Sequence, residues 1–133
     1  MCQTRTQAEK KCTIIEKSFT LTAIGNGKYC GGGFKAAPKA SLTDGLFDIC
    51  SIDKVSLPKF LSLVGSYKKG TYLTNKRAKK LINYSQHSHF KMEFEEPIAV
   101  CIDGEIKGAI NIDFSIAKNG ANFVIPKGCA YIE

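Results

Sequence analysis

The sequence has no long apolar run. No stretch approaches the ~20 consecutive apolar residues that a membrane-crossing helix needs. Its first eleven residues, Met1 to Lys11, are polar and lack the apolar centre of a secretory signal. The chain is therefore expected to be soluble. It also lacks any C-x-x-C pair among its six cysteines, which leaves a zinc site with little support. The cysteines lie apart, some inside apolar runs, as with Cys50 and Cys101. That pattern predicts buried free thiols in a reducing cytosol rather than a secreted disulfide scaffold. There is no Walker A loop and no Gly-x-Ser-x-Gly elbow. Internal repeats, heptads and low-complexity tracts are absent as well. Acid is in short supply: 12 Asp and Glu stand against 19 Lys and Arg, a net charge of +7. The excess favours anionic partners such as phosphates, nucleotides, acidic lipid or nucleic acid.

What is present is enough for one domain. A chain of 133 residues with a hydrophobic fraction of 44% buries roughly two-thirds of its unfolded surface without staples. Residues 1–11 carry no apolar periodicity and read as a disordered or added tail, with the domain covering 12–133. Strand signals begin at Cys12 and continue through Phe19 to Ile24, ending in the turn Gly25-Asn26-Gly27. A glycine-rich stretch follows, then a second turn at Ser41 to Gly45, then a strand from Leu46 to Ile52. Ser56 with Pro58 opens a helix whose Leu57, Phe60, Leu61 and Val64 form one apolar stripe, and Gly70 stops it. A weaker helical patch covers Asn75 to Lys80. Alternation returns in Phe90 to Phe94, Ile98 to Ile102 and Ile110 to Ile116, with Asp103-Gly104 and Asn119-Gly120 between runs and Phe123 and Ile125 beyond. The fold class predicted is mostly β: an antiparallel β-sandwich with one or two short helices.

Three segments can carry chemistry. In Asn26 to Gly33, the triplet Gly31-Gly32-Gly33 permits positive φ or close backbone approach, but the spacing and the absence of a following helix rule out a dinucleotide fingerprint. A tight turn or bulge is the plain alternative. Ser41-Leu42-Thr43-Asp44-Gly45-Leu46 is a compact turn whose carboxylate and carbonyls suit a hard cation, or an ordinary Asp-Gly turn. Asp103-Gly104-Glu105 places two carboxylates at a hairpin tip, where mutual repulsion can raise one pKa and suit a general base, or where both are simply solvated. His87 and His89 have no further ligands nearby in sequence, so a metal role is the weaker reading. Lys76, Arg77, Lys79 and Lys80 are a basic cluster, either a solvated face or a contact for acidic headgroups. No interleaved aromatics of nucleic-acid-binding type accompany them.

Taken in order, the three segments resemble the C-terminal half of the bacterial diacylglycerol kinase and sphingosine kinase-like lipid kinase family. The likeness runs from Gly25-Asn26-Gly27-Lys28-Tyr29-Cys30-Gly31-Gly32-Gly33, through Ala37-Pro38-Lys39-Ala40-Ser41-Leu42-Thr43-Asp44-Gly45-Leu46-Phe47-Asp48, to Ile102-Asp103-Gly104-Glu105, and spans about Phe19 to Ile132. The resemblance implies a β-sandwich lobe that completes a cleft with an N-terminal nucleotide-binding lobe bearing Gly-Gly-Asp-Gly-Thr, a motif absent here. Alone, such a lobe should be inactive. It implies transfer of the ATP γ-phosphoryl group to a lipid hydroxyl, with Glu105 as base and Asp103 tuning it. Asp44, with the carbonyls of Ser41 and Leu46, would hold a structural Mg²⁺. Asn26, Gly31, Gly32 and Gly33 would line the cleft on the ATP side. The Asp44 and Glu105 turns would then face one crevice. The partners implied are the other lobe, a lipid substrate and an acidic membrane surface, with no nucleic acid and oligomerisation left open. The place implied is the cytoplasm, peripheral to membrane. Two alternatives stand beside this: an inert lipid-binding or regulatory module of the same fold, and a relative acting on a sphingoid base or a nucleotide cofactor.

Overall fold

The computed structural model describes residues 2–8, 11–117, 120–122, 124 and 127, with side chains from residue 14 onward. Seven strands and one helix follow in the order β1 (Cys2–Ala8), β2 (Lys11–Lys17), β3 (Phe19–Gly25), β4 (Phe47–Asp53), α1 (Leu57–Lys69), β5 (Ile82–His87), β6 (His89–Ile102) and β7 (Glu105–Ser115). Short 3₁₀ turns at Thr71–Leu73 and Ala78–Lys80 separate α1 from β5. All strand pairs are antiparallel. One sheet has the order β2-β1-β6-β7 and the other β3-β4-β5. The mostly β, sandwich-like class expected from the alternation is what forms.

Strand β4 explains the layering. Its residues from Asp48 to Ile52 are all buried, the mark of a strand covered on both faces. On one face Cys50 and Ile52 join Leu63 and Tyr67 of α1, Tyr72, Ala78 and Ile82. On the other, Ile49 joins Phe90 and Met92 of β6, with Phe47 and Phe114 against them. Phe47 is the pin between the sheets, its ring edge-on to Phe90 at 5.9 Å and to Phe114 at 6.1 Å, while Phe90 and Phe114 stack at 4.6 Å. Lys17 reaches across from β2 to Asp53 of β4 at 2.7 Å.

Several expectations are corrected. Residues 2–8, read as tail, supply β1, which lies between β2 and β6 with Thr6 opposite Phe90 and Cys2 opposite Phe94. Strand pairing is made by the main chain, so a polar sequence enters a ladder wherever a neighbour offers an edge. The apolar stripe of α1 divides. Phe60 packs on the core beside Leu63 and Tyr67, which the stripe left out, whereas Leu57 and Leu61 remain 70% and 61% exposed. The patch at Asn75 to Lys80 is a single 3₁₀ turn over Ala78–Lys80. Among the thiols, Cys50 is buried as expected, but Cys101 and Cys30 are exposed. The runs Phe90 to Phe94 and Ile98 to Ile102 are one strand, interrupted by a register shift between Glu93 and Ile98. Phe123, Ile125 and the Asn119 turn lie outside the described residues.

Candidate functional site

Two of the three segments come together. The glycine loop closes on itself: Cys30 and Phe34 exchange main-chain bonds of 2.9 and 3.0 Å around Gly31, Gly32 and Gly33. All three glycines have positive φ, at 24°, 64° and 82°, so the triplet is there for backbone handedness. A Cβ at any of them would meet nothing within 4 Å, which leaves this loop as an open wall. The loop is tied to the next segment where the Ala37 N–H donates to the Lys28 carbonyl and where Gly27 approaches Leu42.

The second segment turns on Asp44. Its Oδ1 accepts the Leu46 N–H at 2.9 Å, and Gly45 takes φ of 70°. That local bond is why Asp-Gly-Leu folds as a turn here. Ser41 Oγ and Thr43 Oγ1 lie 3.3 Å apart beside it. Asp44 is exposed, and four residues on, Asp48 is 1% exposed. Strand β4 alternates Asp48 onto the face of Cys50 and Ile52, so it enters the layer beneath the loop. Its Oδ1 accepts a very short bond from the Tyr84 hydroxyl and one of 3.1 Å from Gln86 Nε2. Its Oδ2 is buried with no partner. Burial pushes the Asp48 carboxyl above the usual carboxylate range, and the neighbouring Asp44 charge adds to this. The bonds from Tyr84 and Gln86 and the Lys39 charge pull the other way. Lys39 closes the group, its N–H donating to the Tyr84 hydroxyl at 3.2 Å and its ammonium 6.0 Å over the ring. Tyr84 is itself raised by burial and by its bond to Asp48.

Asp48, Tyr84, Gln86 and Lys39 are the residues sequence reasoning passed over. One signal was available: a carboxylate in the middle of Leu46-Phe47-Asp48-Ile49-Cys50 is an acid inside an apolar strand, which needs a partner when buried.

The third segment stands apart. Asp103 and Gly104 form the two-residue turn between β6 and β7, with φ of 50° and 95° and Ile102 opposite Glu105. Beyond the register shift, β6 and β7 run on as an exposed two-stranded arm. Glu105 has a side chain 77% exposed and is 3.4 Å from Lys107. From Phe114, which packs on Phe47 near the Asp44 turn, to Glu105 there is roughly 30 Å of strand path. The single crevice expected between Asp44 and Glu105 does not form among the described residues, none of which covers the arm and draws the tip inward. His89 bonds Asp113 at 2.7 Å, and His87 is lowered by burial. No group of three or more His, Cys, Asp and Glu side chains suited to a metal occurs among the described residues. Nor is any helix among them long and apolar enough to cross a membrane.

The donor set of the Asp44 turn nonetheless fits a hard cation. Mg²⁺ takes one or two carboxylates with carbonyls and water. Asp44, the unpartnered Oδ2 of Asp48 close by, and the carbonyls of Ser41 and Leu46 are oxygen donors of that kind.

The lobe is an antiparallel sandwich backed by one helix, with an acid-bearing turn leading into the middle strand of its three-stranded sheet. Residues 8–124 match the YegS C-terminal NAD kinase beta sandwich-like domain. The chain belongs to that family. A "Probable lipid kinase YegS-like" protein of Alcanivorax borkumensis is 28% identical over 120 residues, covering 86% of this chain and 37% of its own length. A "Diacylglycerol kinase" of Bacillus subtilis is 29% identical over 97 residues, 72% of this chain and 31% of its own. A further "Probable lipid kinase YegS-like" protein, of Pseudomonas aeruginosa, is 31% identical over 114 residues, 85% and 35%. A crystal structure of a candidate diacylglycerol kinase from Bacillus anthracis str. Sterne superposes with a TM-score of 0.60 at 19% identity, over 89% of this chain and 38% of that one. The chain thus spans about a third of the length of the proteins it matches.

Proposed function

We propose that the chain acts as the C-terminal lobe of an ATP-dependent kinase that phosphorylates the hydroxyl of diacylglycerol or a related lipid. One observation carries the reading: the match to the YegS C-terminal NAD kinase beta sandwich-like domain covers 8–124 and takes in the Asn26 to Gly33 loop, the Asp44 turn and the Asp103-Gly104-Glu105 tip in order. The names of the relatives support the acceptor class. In this reading a nucleotide-binding lobe supplies most of the ATP contacts, and the lobe alone is inactive.

The exposed arm gives the third segment a purpose within that reading. An acid that lacks a crevice of its own is placed to complete one against a second lobe. There Glu105 takes the proton from the lipid hydroxyl as its oxygen attacks the γ-phosphorus, while the bond to the ADP oxygen breaks. Asp103 shapes the turn that presents Glu105. Mg²⁺, when bound, supplies positive charge that braces the Asp44 turn. Asp44, Ser41 and Leu46 would hold it. Asn26 and the open wall of Gly31, Gly32 and Gly33 line the cleft. Work at a membrane-borne lipid places the protein in the cytoplasm, peripheral to the bilayer.

The test joins this chain to a lobe carrying Gly-Gly-Asp-Gly-Thr and follows phosphate transfer from ATP to an acceptor panel. The panel holds diacylglycerol, a sphingoid base and a nucleotide cofactor. Transfer to diacylglycerol supports the proposal. Preference for another acceptor reassigns the substrate, and a folded, ATP-binding chimaera that phosphorylates none of them refutes it. A second reading, an inert binding module, is favoured by one observation: the 77% exposure of Glu105 outside any crevice. The same chimaera separates the two.

A further inference from the structure

The charge of this chain is not spread evenly. From Lys54 to Lys80 there are eight basic residues and no acid, which leaves eleven basic against twelve acidic in the rest. The whole positive excess therefore sits in the segment that makes α1 and the two 3₁₀ turns. Lys54, Lys59, Lys68, Lys69, Lys76, Arg77, Lys79 and Lys80 are all exposed. None of the eight makes an ion pair among the described residues.

Lys68 and Lys69 lie in the last turn of α1, whereas Lys54 and the Ala78–Lys80 turn are drawn together on the side where the chain enters the helix. The Asp53 N–H donates to the Leu81 carbonyl at 2.8 Å. That bond holds Lys54, at the approach to α1, against the Ala78–Lys80 turn. Ala78 is fully buried, so it anchors the turn while Arg77, Lys79 and Lys80 are exposed around it. The first turn of α1 has no acid to offset the positive end of the helix dipole. Beside these charges stand Leu57 and Leu61, one helical turn apart and mostly exposed. They lie on the flank of α1, away from the core face of Phe60, Leu63 and Tyr67.

We propose that this face docks on an anionic phospholipid bilayer, with Leu57 and Leu61 entering the headgroup boundary and Lys54, Lys76, Arg77, Lys79 and Lys80 lying over the acidic lipids. Exposed apolar residues on a helix that shares its segment with unpaired cations are what an interfacial helix presents, and each Lys or Arg near an acidic surface adds to binding. Nucleic acid fits less well: Tyr67 and Tyr72 are buried and Phe60 is half-buried, leaving no exposed ring in the segment for a base to stack on. The inference deepens the lipid-kinase reading, since it brings the lobe to the surface where its acceptor lies. It is measured without ATP or transfer, so either can fail alone.

The experiment is co-sedimentation of the 133-residue chain with phosphatidylcholine vesicles, with and without phosphatidylglycerol. Binding should require phosphatidylglycerol and fall with salt. Replacing Lys76, Arg77, Lys79 and Lys80 by Gln should weaken partitioning on the order of 100-fold or more. Leu57→Ser with Leu61→Ser should weaken it on the order of tenfold. Both sets are exposed, and an unchanged Tm checks that each variant folds. Equal binding to phosphatidylcholine alone, no binding to either vesicle, or unchanged partitioning in both folded variants would overturn the proposal. So would tighter binding to a DNA duplex than to the acidic vesicles, or a nucleotide lobe that covers Leu57 and Leu61 and abolishes vesicle binding.

Discussion

Changing Asp48 to Asn should stabilise the chain at neutral pH when no divalent cation is present. The carboxylate is 1% exposed, with Oδ1 bonded by Tyr84 and Gln86 and Oδ2 left without a partner. Its pKa in the fold lies above the ordinary 3.8, chiefly through burial. A raised carboxyl pKa means that the fold favours the protonated form. The contribution of this group is therefore fully present below about pH 4, and it is lost as pH rises through the raised value. Above the raised value the fold carries a buried charged oxygen with an unmade hydrogen bond, which costs about 1–3 kcal/mol. Asn keeps an acceptor for Tyr84 and Gln86 and removes the charge; its Nδ2 takes the partnerless place of Oδ2, so the gain is the share of the cost that comes from the charge. The expected gain is about 1–2 kcal/mol at pH 7, or a few degrees in Tm, shrinking toward zero near pH 4. Thermal unfolding of both proteins by circular dichroism across this range, in EDTA, is the assay. A difference that does not vary with pH, or an Asn variant less stable at pH 7 than at pH 4 relative to the parent, would refute the reasoning.

Mg²⁺ should raise the Tm of the parent chain, by about 2.7 kcal/mol of stability at a hundred times its dissociation constant. Asp44→Asn should abolish that rise, as read by calorimetry with and without the ion. Phe90→Ala should cost about 3–5 kcal/mol in urea unfolding, because it removes a fully buried ring stacked on Phe114 and faced by Phe47. Thiol labelling of the native chain followed by peptide mapping should modify Cys30 and Cys101 at once. Cys50, buried and with its thiol pushed up to about 11 by burial, should react only on unfolding.

The parts of the fold legible in the sequence are those that carry an apolar run, an apolar alternation or a marked end. Strands β3, β4 and β7, the helix with its Pro58 start and Gly70 stop, and the Asp103-Gly104 turn all left a pattern. Strand β1 left none, since Cys-Gln-Thr-Arg-Thr-Gln-Ala pairs through its main chain. Leu57 and Leu61 follow helical spacing as faithfully as Phe60 does. Spacing alone does not tell a core face from an exposed flank, and the stripe lies rotated from the face of Phe60, Leu63 and Tyr67 that packs on the core. The same ambiguity covers Cys101, whose apolar neighbours lie on an arm that no described residue covers with a second layer. The Asp44 turn was found through its residue types and the resemblance they carry. Asp48 was not, because its role depends on Tyr84 and Gln86, which are distant in sequence and brought beside it by the β4–β5 pairing. The separation of Glu105 from Asp44 follows from the length of the arm, which alternation does not report.

The most direct test of the kinase account is the rate of lipid phosphorylation by the two-lobed enzyme with Glu105 and with Glu105→Gln, at saturating ATP. If the arm delivers Glu105 to the lipid hydroxyl, kcat falls on the order of 10²–10⁴-fold while the KM for ATP holds. An undiminished kcat in a folded variant would contradict the role given to the arm and its tip.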